Sequence, residues 1–228
     1  GELYEPMEDT HLRQVGGTAN HWIIKMADKQ FGYRYVPLKP IDFKERECIP
    51  HSGWPISRED LDPYYERAHD VCKVGPFKYE PGDWDPGEFK PLPLDSSVVR
   101  SDFFSFGPCK VFTTEFPDTI GQSANVDLYT NATVVELLND EDATSVSTAL
   151  VRTFDGKDIH FKAHQFVIAA GGYTSARLLL ASNRINPAGL GNEHDVVGRY
   201  LMDHSLVPSG NFYPHDPQVI NDLGVYDM

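Results

Sequence analysis

Residues 166–183 place the strongest constraint on the fold, because a strand, a glycine pair and a helix are all indicated within this one segment. The uninterrupted apolar run Phe166–Ala170 is typical of a strand buried on both faces in a parallel sheet. Gly171-Gly172 ends the run, and Thr174 or Ser175 can then cap a helix. The apolar residues of that helix repeat at helical spacing: Ala176, Leu179 and Leu180. The segment predicts an α/β architecture.

The turn at the end of this strand has two interpretations. The first N–H groups of a helix and its dipole attract phosphate, so Ala170, Gly171 and Gly172 are candidate contacts to a dinucleotide. A purely structural turn between a strand and a helix can have the same composition. The segment alone leaves both interpretations open.

A second glycine pair, Gly16-Gly17, begins a run of polar and aromatic side chains. Glycine lets the backbone approach a flat or anionic ligand closely, because it has no Cβ atom. The side chains that follow offer a hydroxyl, an amide, an imidazole and an indole: Thr18, Asn20, His21 and Trp22. The run predicts a loop that contacts a cofactor, and the alternative is a glycine turn before a buried tryptophan.

The best local helix signal lies between residues 57 and 72. Ser57 and Asp60 have the spacing of a capping box, and Asp62-Pro63 adds a second cap with a proline at the first helical position. One face of this helix carries Tyr65, Ala68, His69 and Cys72. We expect His69 to be a packing histidine on that face.

Four short segments rich in β-forming residues are predicted strands: Val126–Thr130, Thr133–Leu138, Thr148–Phe154 and Lys157–Lys162. Turn signals lie at Asn139-Asp140 and Asp155-Gly156. These segments predict a hairpin that leads into the strand at Phe166–Ala170. A further strand is expected to begin within Leu206–Tyr213.

Charge and hydropathy exclude several classes of partner. The net charge is −14, from 20 basic and 34 acidic residues, which disfavours nucleic acid and anionic lipid because both bind positive surfaces. No apolar run is long enough to span a membrane, and the acidic start Gly1–Glu5 differs from a signal peptide. The 3 cysteines are widely spaced, so no metal site and no disulfide framework is predicted. A soluble protein of the cytoplasm or the periplasm is expected.

Four motifs in a fixed order cover nearly the whole chain: Gly16–Trp22; Pro50–Ser57 with Asp62–Tyr65; Ala169–Gly172 with Ala176–Leu179; and Asn186–Gly191 with Val197–His204. Together they resemble the glucose-methanol-choline (GMC) family of FAD-dependent oxidoreductases, and most closely its sugar and polyol dehydrogenases and the pyranose oxidases. The resemblance implies an α/β (α+β) chain. It would form part of a doubly wound FAD-binding domain, of the p-hydroxybenzoate-hydroxylase-like type, and part of a substrate-binding domain.

Two segments of the family have no counterpart in this sequence. The Gly-x-Gly-x-x-Gly triplet that binds the FAD pyrophosphate is absent, and the sequence stops at Met228, before the segment that supplies the catalytic histidine. The resemblance therefore implies an internal fragment with its catalytic residues outside this chain. It divides the chain into an FAD-domain segment at 1–45, a substrate-domain segment at 46–116, a returning FAD-domain segment at 117–205 and the start of a substrate-domain sheet at 206–228.

The resemblance also assigns roles to residues of this chain. The loop that begins at Gly16-Gly17 would face the flavin, and Val134 or Val135 would meet the adenine through its main chain, although an ordinary core strand is the alternative. His21 falls where pyranose oxidases attach the flavin covalently; covalent attachment, a non-covalent contact and a structural role all stay open. Asp203-His204 would be structural beside the cofactor. His51 would shape the substrate domain or contact the substrate.

The implied reaction is oxidation of a CH–OH group of a sugar or polyol, by hydride transfer to N5 of FAD. Electrons would then pass to oxygen, a quinone or a haem partner. The alternative is a non-catalytic flavin-binding or scaffold subunit that works with separate partner chains.

Overall fold

The structure, a computed structural model, describes residues 10–21, 24–26, 29–83, 94–95, 97–99, 102–142, 144–203, 213 and 215–218. Two compact units share the chain: unit 1 is Gly1–Asp127 with Asn211–Met228, and unit 2 is Leu128–Gly210. Each unit is described by itself. Of the segment expected to begin a returning strand, Leu206–Tyr213, only Tyr213 lies within the described residues.

Unit 1 consists of short elements joined by long loops. Its antiparallel strand pairs are β1 (Ile24–Met26) with β2 (Lys29–Phe31), and β3 (Arg34–Tyr35) with β4 (Ser105–Phe106). Its helices are α1 (Asp62–Cys72) and α2 (Phe116–Gly121), and a π-helical turn at Val111–Glu115 leads into α2. Four 3₁₀ turns complete the unit: Gly17–His21, Pro40–Phe43, Glu59–Leu61 and Pro81–Asp83.

The predicted capping box is confirmed. The Ser57 N–H donates to Asp60 Oδ2 over 2.8 Å, and the Asp60 N–H donates to Ser57 Oγ over 3.3 Å. The box joins Ser57 to the 3₁₀ turn Glu59–Leu61, which leads into α1. The prediction that Asp62 is a second cap is wrong, because Asp62 is the first helical residue and its carboxylate pairs with Arg58.

His69 is a packing histidine, as the sequence predicts. It is buried on α1, where its Nδ1 lies 3.0 Å from the Gly75 carbonyl oxygen and its Nε2 lies 2.9 Å from the Tyr79 hydroxyl. A carbonyl oxygen only accepts hydrogen bonds, so Nδ1 carries the proton and Nε2 accepts from Tyr79. Of the other residues predicted on this face, Tyr65 and Cys72 are half-buried and Ala68 is exposed.

Unit 2 is built on an antiparallel three-stranded sheet in the order β5 (Ala132–Asn139), β6 (Val146–Thr153) and β7 (Asp158–Phe161). Ala132 lies opposite Thr153 at one end of the first pair, and Asn139 lies opposite Val146 at the other. Three of the four predicted strands and both predicted turns are therefore confirmed.

Two predicted strands are wrong. Residues 126–130 form no strand; all are exposed, and Asn131, with a φ of 54°, turns the chain just before β5. Residues 166–170 form no strand either, and Val167 is 89% exposed. A strand needs a neighbour to pair with, and within the described residues no strand lies beside this segment. Each sheet of the described residues is antiparallel, so the predicted doubly wound parallel sheet is not formed among them.

Helix α3 (Gly172–Ala181) begins earlier than the sequence predicts. Thr174 and Ser175 lie inside its first turn rather than capping it. The N-cap is Gly171, with φ 81° and ψ 163°, a conformation that is open essentially to glycine only, and its carbonyl accepts from the Ser175 N–H over 2.9 Å. On the predicted apolar face Ala176 and Leu179 are half-buried and Leu180 is 39% exposed. The buried residue of the helix is Leu178.

The core of unit 2 lies between α3 and the sheet. Leu137, Ala149 and Leu178 are its buried members, with partly buried apolar side chains around them: Val134, Val146, Phe161, Phe166, Ile168 and Leu190. Ser182, directly after α3, is buried and joins the two layers. Its hydroxyl accepts from the Leu137 N–H over 2.9 Å and donates to the Leu178 carbonyl over 2.7 Å.

Candidate functional site

Residues Gly16 to His21 form the glycine loop of unit 1, in which the backbone at Gly16 lies very close to the backbone of another segment. Gly16 has a φ of 84°, and a Cβ atom on it would lie 2.9 Å from the carbonyl oxygen of Phe112. A side chain at this position would therefore displace either the loop or the π-helical turn. The Gly17 N–H donates to the Gln14 carbonyl over 2.8 Å, and the 3₁₀ turn Gly17–His21 follows.

Two of the predicted cofactor-binding side chains hold the loop itself. The Asn20 amide nitrogen donates to the carbonyl oxygens of Val15, over 3.1 Å, and Gly17, over 2.9 Å. The Thr18 hydroxyl accepts from the Leu12 N–H over 3.2 Å. These hydrogen bonds fix the backbone of the turn. They also use polar atoms of Asn20 and Thr18 that would otherwise be available to a ligand.

His21 is the polar side chain that the turn presents outward. It ends the 3₁₀ turn and is exposed, and no hydrogen-bond partner for its imidazole is found among the described residues. Trp22, the last residue of the predicted loop, lies outside the described residues.

Tyr33, which lies outside the glycine loop, also stabilises it. The Tyr33 hydroxyl donates to the carbonyl oxygen of Ala19 over 2.9 Å, and its ring meets the Phe112 ring edge-on at 5.2 Å. Burial, and then the nearby Cys109, raise the pKa of Tyr33. The hydroxyl therefore stays protonated, and able to donate, at neutral pH. Sequence reasoning missed Tyr33 because no spacing rule links it to the loop.

In unit 2 the predicted adenine contacts lie at an irregularity of β5. Val134 lies opposite Val151 and Glu136 lies opposite Leu150, so the pairing skips Val135 and makes a β-bulge there. Bulges disrupt the ladder locally and leave the extra residue unpaired. The side chain of Val134 packs against the core. The sequence gives no signal for the bulge.

The Gly171-Gly172 turn is open. A Cβ atom on either glycine would have no heavy atom within 4 Å, apart from those of its chain neighbours and of the helix backbone. Helix α3 begins at this turn, so the N–H groups of its first residues have no partner inside the helix. The Tyr173 hydroxyl donates to Asp203 Oδ2 over 2.9 Å, which places Asp203 near the start of α3. His204 lies outside the described residues.

The predicted site residues are divided between the two units. Val134, Val135, Ala170, Gly171 and Gly172 all belong to unit 2, where α3 packs against β5. The residues of the glycine loop, Gly16 to His21, belong to unit 1. His51 is also in unit 1 and is exposed, with a φ of 60°.

The described residues contain neither a metal-binding cluster nor a membrane-spanning helix. No group of three or more His, Cys, Asp or Glu side chains is placed there to hold a metal ion. No helix of the described residues has both the length and the apolar character needed to cross a membrane. The 3 cysteines are all described and are all free.

Comparison with known proteins identifies two similar dehydrogenases. The fructose dehydrogenase large subunit of Gluconobacter japonicus is 42% identical over 237 residues, which cover 85% of this chain and 41% of that protein. The 2-methyl-1,2-propanediol dehydrogenase of Mycolicibacterium austroafricanum is 25% identical over 240 residues, covering 86% of this chain and 41% of that protein. No family model matches the chain.

This chain is thus similar to dehydrogenases named for a sugar and for a diol. It spans about two fifths of the length of either relative.

Proposed function

We propose that this chain is the central portion of an FAD-dependent oxidoreductase of the GMC type, which oxidises a CH–OH group of a sugar or polyol. The observation that carries the proposal is the glycine loop. Its backbone is held by its own Asn20 and Thr18 side chains, while His21 is exposed and has no partner among the described residues. The similarity to two dehydrogenases supports the oxidoreductase class.

The residues of unit 2 would contact the adenosine end of FAD. The open Gly171-Gly172 turn and the first N–H groups of α3 would offer donors to a phosphate oxygen of the dinucleotide, in addition to those of the Gly-x-Gly-x-x-Gly segment expected outside this chain, because no Cβ atom keeps the ligand away. The bulge at Val135 leaves main-chain groups that can reach the edge of an adenine. Unit 2 would therefore bind the nucleotide through backbone atoms.

In unit 1 the glycine loop would lie against the isoalloxazine ring, with His21 touching it. FAD, when bound, supplies a hydride acceptor. A covalent imidazole link to the ring would withdraw electron density, which raises the potential of the flavin and favours oxidation of an alcohol, whereas a non-covalent contact would hold the ring in place. The base that takes the proton of the substrate hydroxyl is expected outside this chain. The electron acceptor would be oxygen, a quinone or a haem partner.

The test is a visible absorption spectrum of the full-length protein, titrated with fructose, other sugars and short diols. We expect a flavin band that one of these substrates bleaches. A protein that stays colourless after loading with FAD would contradict the proposal. A flavin band that no substrate bleaches would favour the alternative, a non-catalytic flavin-binding subunit. That alternative has one point of support, since one relative is named a large subunit.

Acid precipitation of the same protein decides the role of His21. A yellow pellet in the native protein, lost in His21→Ala, would show covalent attachment through His21. Colour found in the supernatant alone would exclude the covalent bond and leave a non-covalent contact or a structural role.

A further inference from the structure

Tyr33 lies in a segment of unit 1 whose backbone is hydrogen-bonded to a second segment. The Gly32 N–H donates to the Gly107 carbonyl over 2.8 Å, and the Gly107 N–H donates to the Tyr33 carbonyl over 3.0 Å. A Cβ atom on Gly32 would lie 2.6 Å from the carbonyl oxygen of Pro108, so the two segments are in direct backbone contact. These bonds continue the pairing of β3 with β4 and fix the backbone from which the Tyr33 side chain projects.

The side chain of Tyr33 connects that support to the glycine loop. Its hydroxyl donates to the Ala19 carbonyl, and its ring packs edge-on against Phe112, whose own carbonyl lies behind Gly16. Phe112 in turn meets the Phe116 ring edge-on at 5.3 Å. The loop is thus held near its beginning by the Phe112 backbone and near its end by the Tyr33 hydroxyl.

Ala19 lies two residues before His21 in the same 3₁₀ turn. A 3₁₀ turn has tighter and weaker hydrogen bonds than an α-helix, so it depends on outside contacts to keep one conformation. Asn20 fixes the beginning of the turn, and the Tyr33 hydroxyl donates to its Ala19 carbonyl. With both in place, little freedom is left to His21 besides rotation of its own side chain.

We propose that Tyr33 is a positioning residue, whose hydroxyl fixes the turn so that His21 meets the flavin in one orientation. This inference rests on the proposed function, because it gives His21 a flavin to face. The raised pKa of Tyr33 keeps the hydroxyl a donor over the whole neutral range, so the support does not vary with pH there.

The test compares Tyr33→Phe with Tyr35→Phe in the full-length protein. Tyr35 is a matched control: its ring centroid lies 6.3 Å from that of Tyr33, but its hydroxyl bonds to the Cys72 thiol and not to the loop. Hydrogen exchange of the 15–21 peptide is measured without flavin, and the midpoint potential of the flavin is measured with it. In Tyr33→Phe we expect exchange about fivefold faster, the effect of one lost hydrogen bond, and a lower midpoint potential. Tyr35→Phe should change neither.

Three outcomes would contradict the role of Tyr33 or the function on which it rests. Unchanged exchange in Tyr33→Phe would overturn the support of the loop. Faster exchange with an unchanged or raised potential would overturn the positioning of His21. A wild-type protein that binds no flavin would contradict the proposed function, and the exchange comparison would still decide whether Tyr33 holds the turn.

Discussion

At the scale of single residues, Gly171 and Gly156 form a matched pair. Both have a φ of 81°, and a Cβ atom on either would point into open space. Gly156 lies in the turn between β6 and β7, whereas Gly171 is the N-cap of α3. Replacing either glycine with alanine is expected to lower the free energy of unfolding by about 1–3 kcal/mol, because alanine is strained in this backbone conformation. We expect Gly171→Ala, and not Gly156→Ala, to weaken FAD binding by about tenfold or more, the loss of one hydrogen bond to a charged group.

Fluorescence titration of the flavin-free full-length protein with FAD measures the effect, and urea unfolding corrects for the shared loss of stability. Equal FAD affinities for the two variants would show that the turn at Gly171 does not contact the cofactor.

At the scale of elements, Ser182 joins α3 to the edge strand β5. Ser182→Ala leaves the buried Leu137 N–H and the Leu178 carbonyl without their side-chain partner. An unsatisfied buried polar group costs about 1–3 kcal/mol, and we expect that loss in urea unfolding. Ser147→Ala is the control, because Ser147 is exposed and water can replace its bonds to the Leu138 and Asn139 carbonyls. Equal losses in both variants would contradict the joining role.

The hydrogen bonds of Asp140, in the turn between β5 and β6, make the folding stability depend on pH. Asp140 accepts hydrogen bonds from the Ser145 and Thr144 side chains and N–H groups, which lower its pKa, with the Ser145 hydroxyl as the largest cause. The folded pKa is below the unfolded one, so the stabilisation is present above the unfolded value and is lost as pH falls through the folded value. We expect Asp140→Asn to flatten the fall of stability as the pH is lowered from the ordinary pKa of an aspartate into the more acidic range.

Denaturant unfolding across that pH range gives the measurement. Asp142→Asn is the control, since it removes the same charge from the same turn without removing these bonds. An acid limb that is equally steep in wild type and in Asp140→Asn would contradict the prediction.

The sequence predicts the elements whose contacts are local and misses those whose contacts are distant in the chain. The capping box at Ser57 and Asp60 and the strands β5 to β7 follow from local spacing, because their partners are near in the chain. Phe166–Ala170 has the composition of a buried strand but forms none, since pairing needs neighbours that local composition cannot supply. The supports of the glycine loop are non-local for the same reason: Tyr33 reaches Ala19 across 14 residues, and no periodicity indicates it.

At the scale of the whole molecule, segment 166–170 pairs with no strand among the described residues. Phe166 and Ile168 pack toward the core of unit 2, and Val167, between them, is 89% exposed. This alternation is the side-chain pattern of a strand. If this chain is the central portion of a GMC-type oxidoreductase, parallel strands from elsewhere in the protein pair with the segment and cover Val167. Amides 166–170 should then be protected from hydrogen exchange in the full-length protein and unprotected in the 228-residue chain.

The variants Val167→Asp and Phe154→Asp test the same point by stability. Both side chains are almost fully exposed, Phe154 at 87% in the turn after β6 and Val167 at 89%. In the 228-residue chain both changes should therefore leave stability within about 0.5 kcal/mol of wild type. In the full-length protein Val167→Asp buries an unpaired carboxylate and should cost about 3–5 kcal/mol, whereas Phe154→Asp stays at the surface. A full-length protein that tolerates both changes equally would show that no strand covers Val167, and the chain would then have to bind its nucleotide without a parallel sheet behind the Gly171 turn.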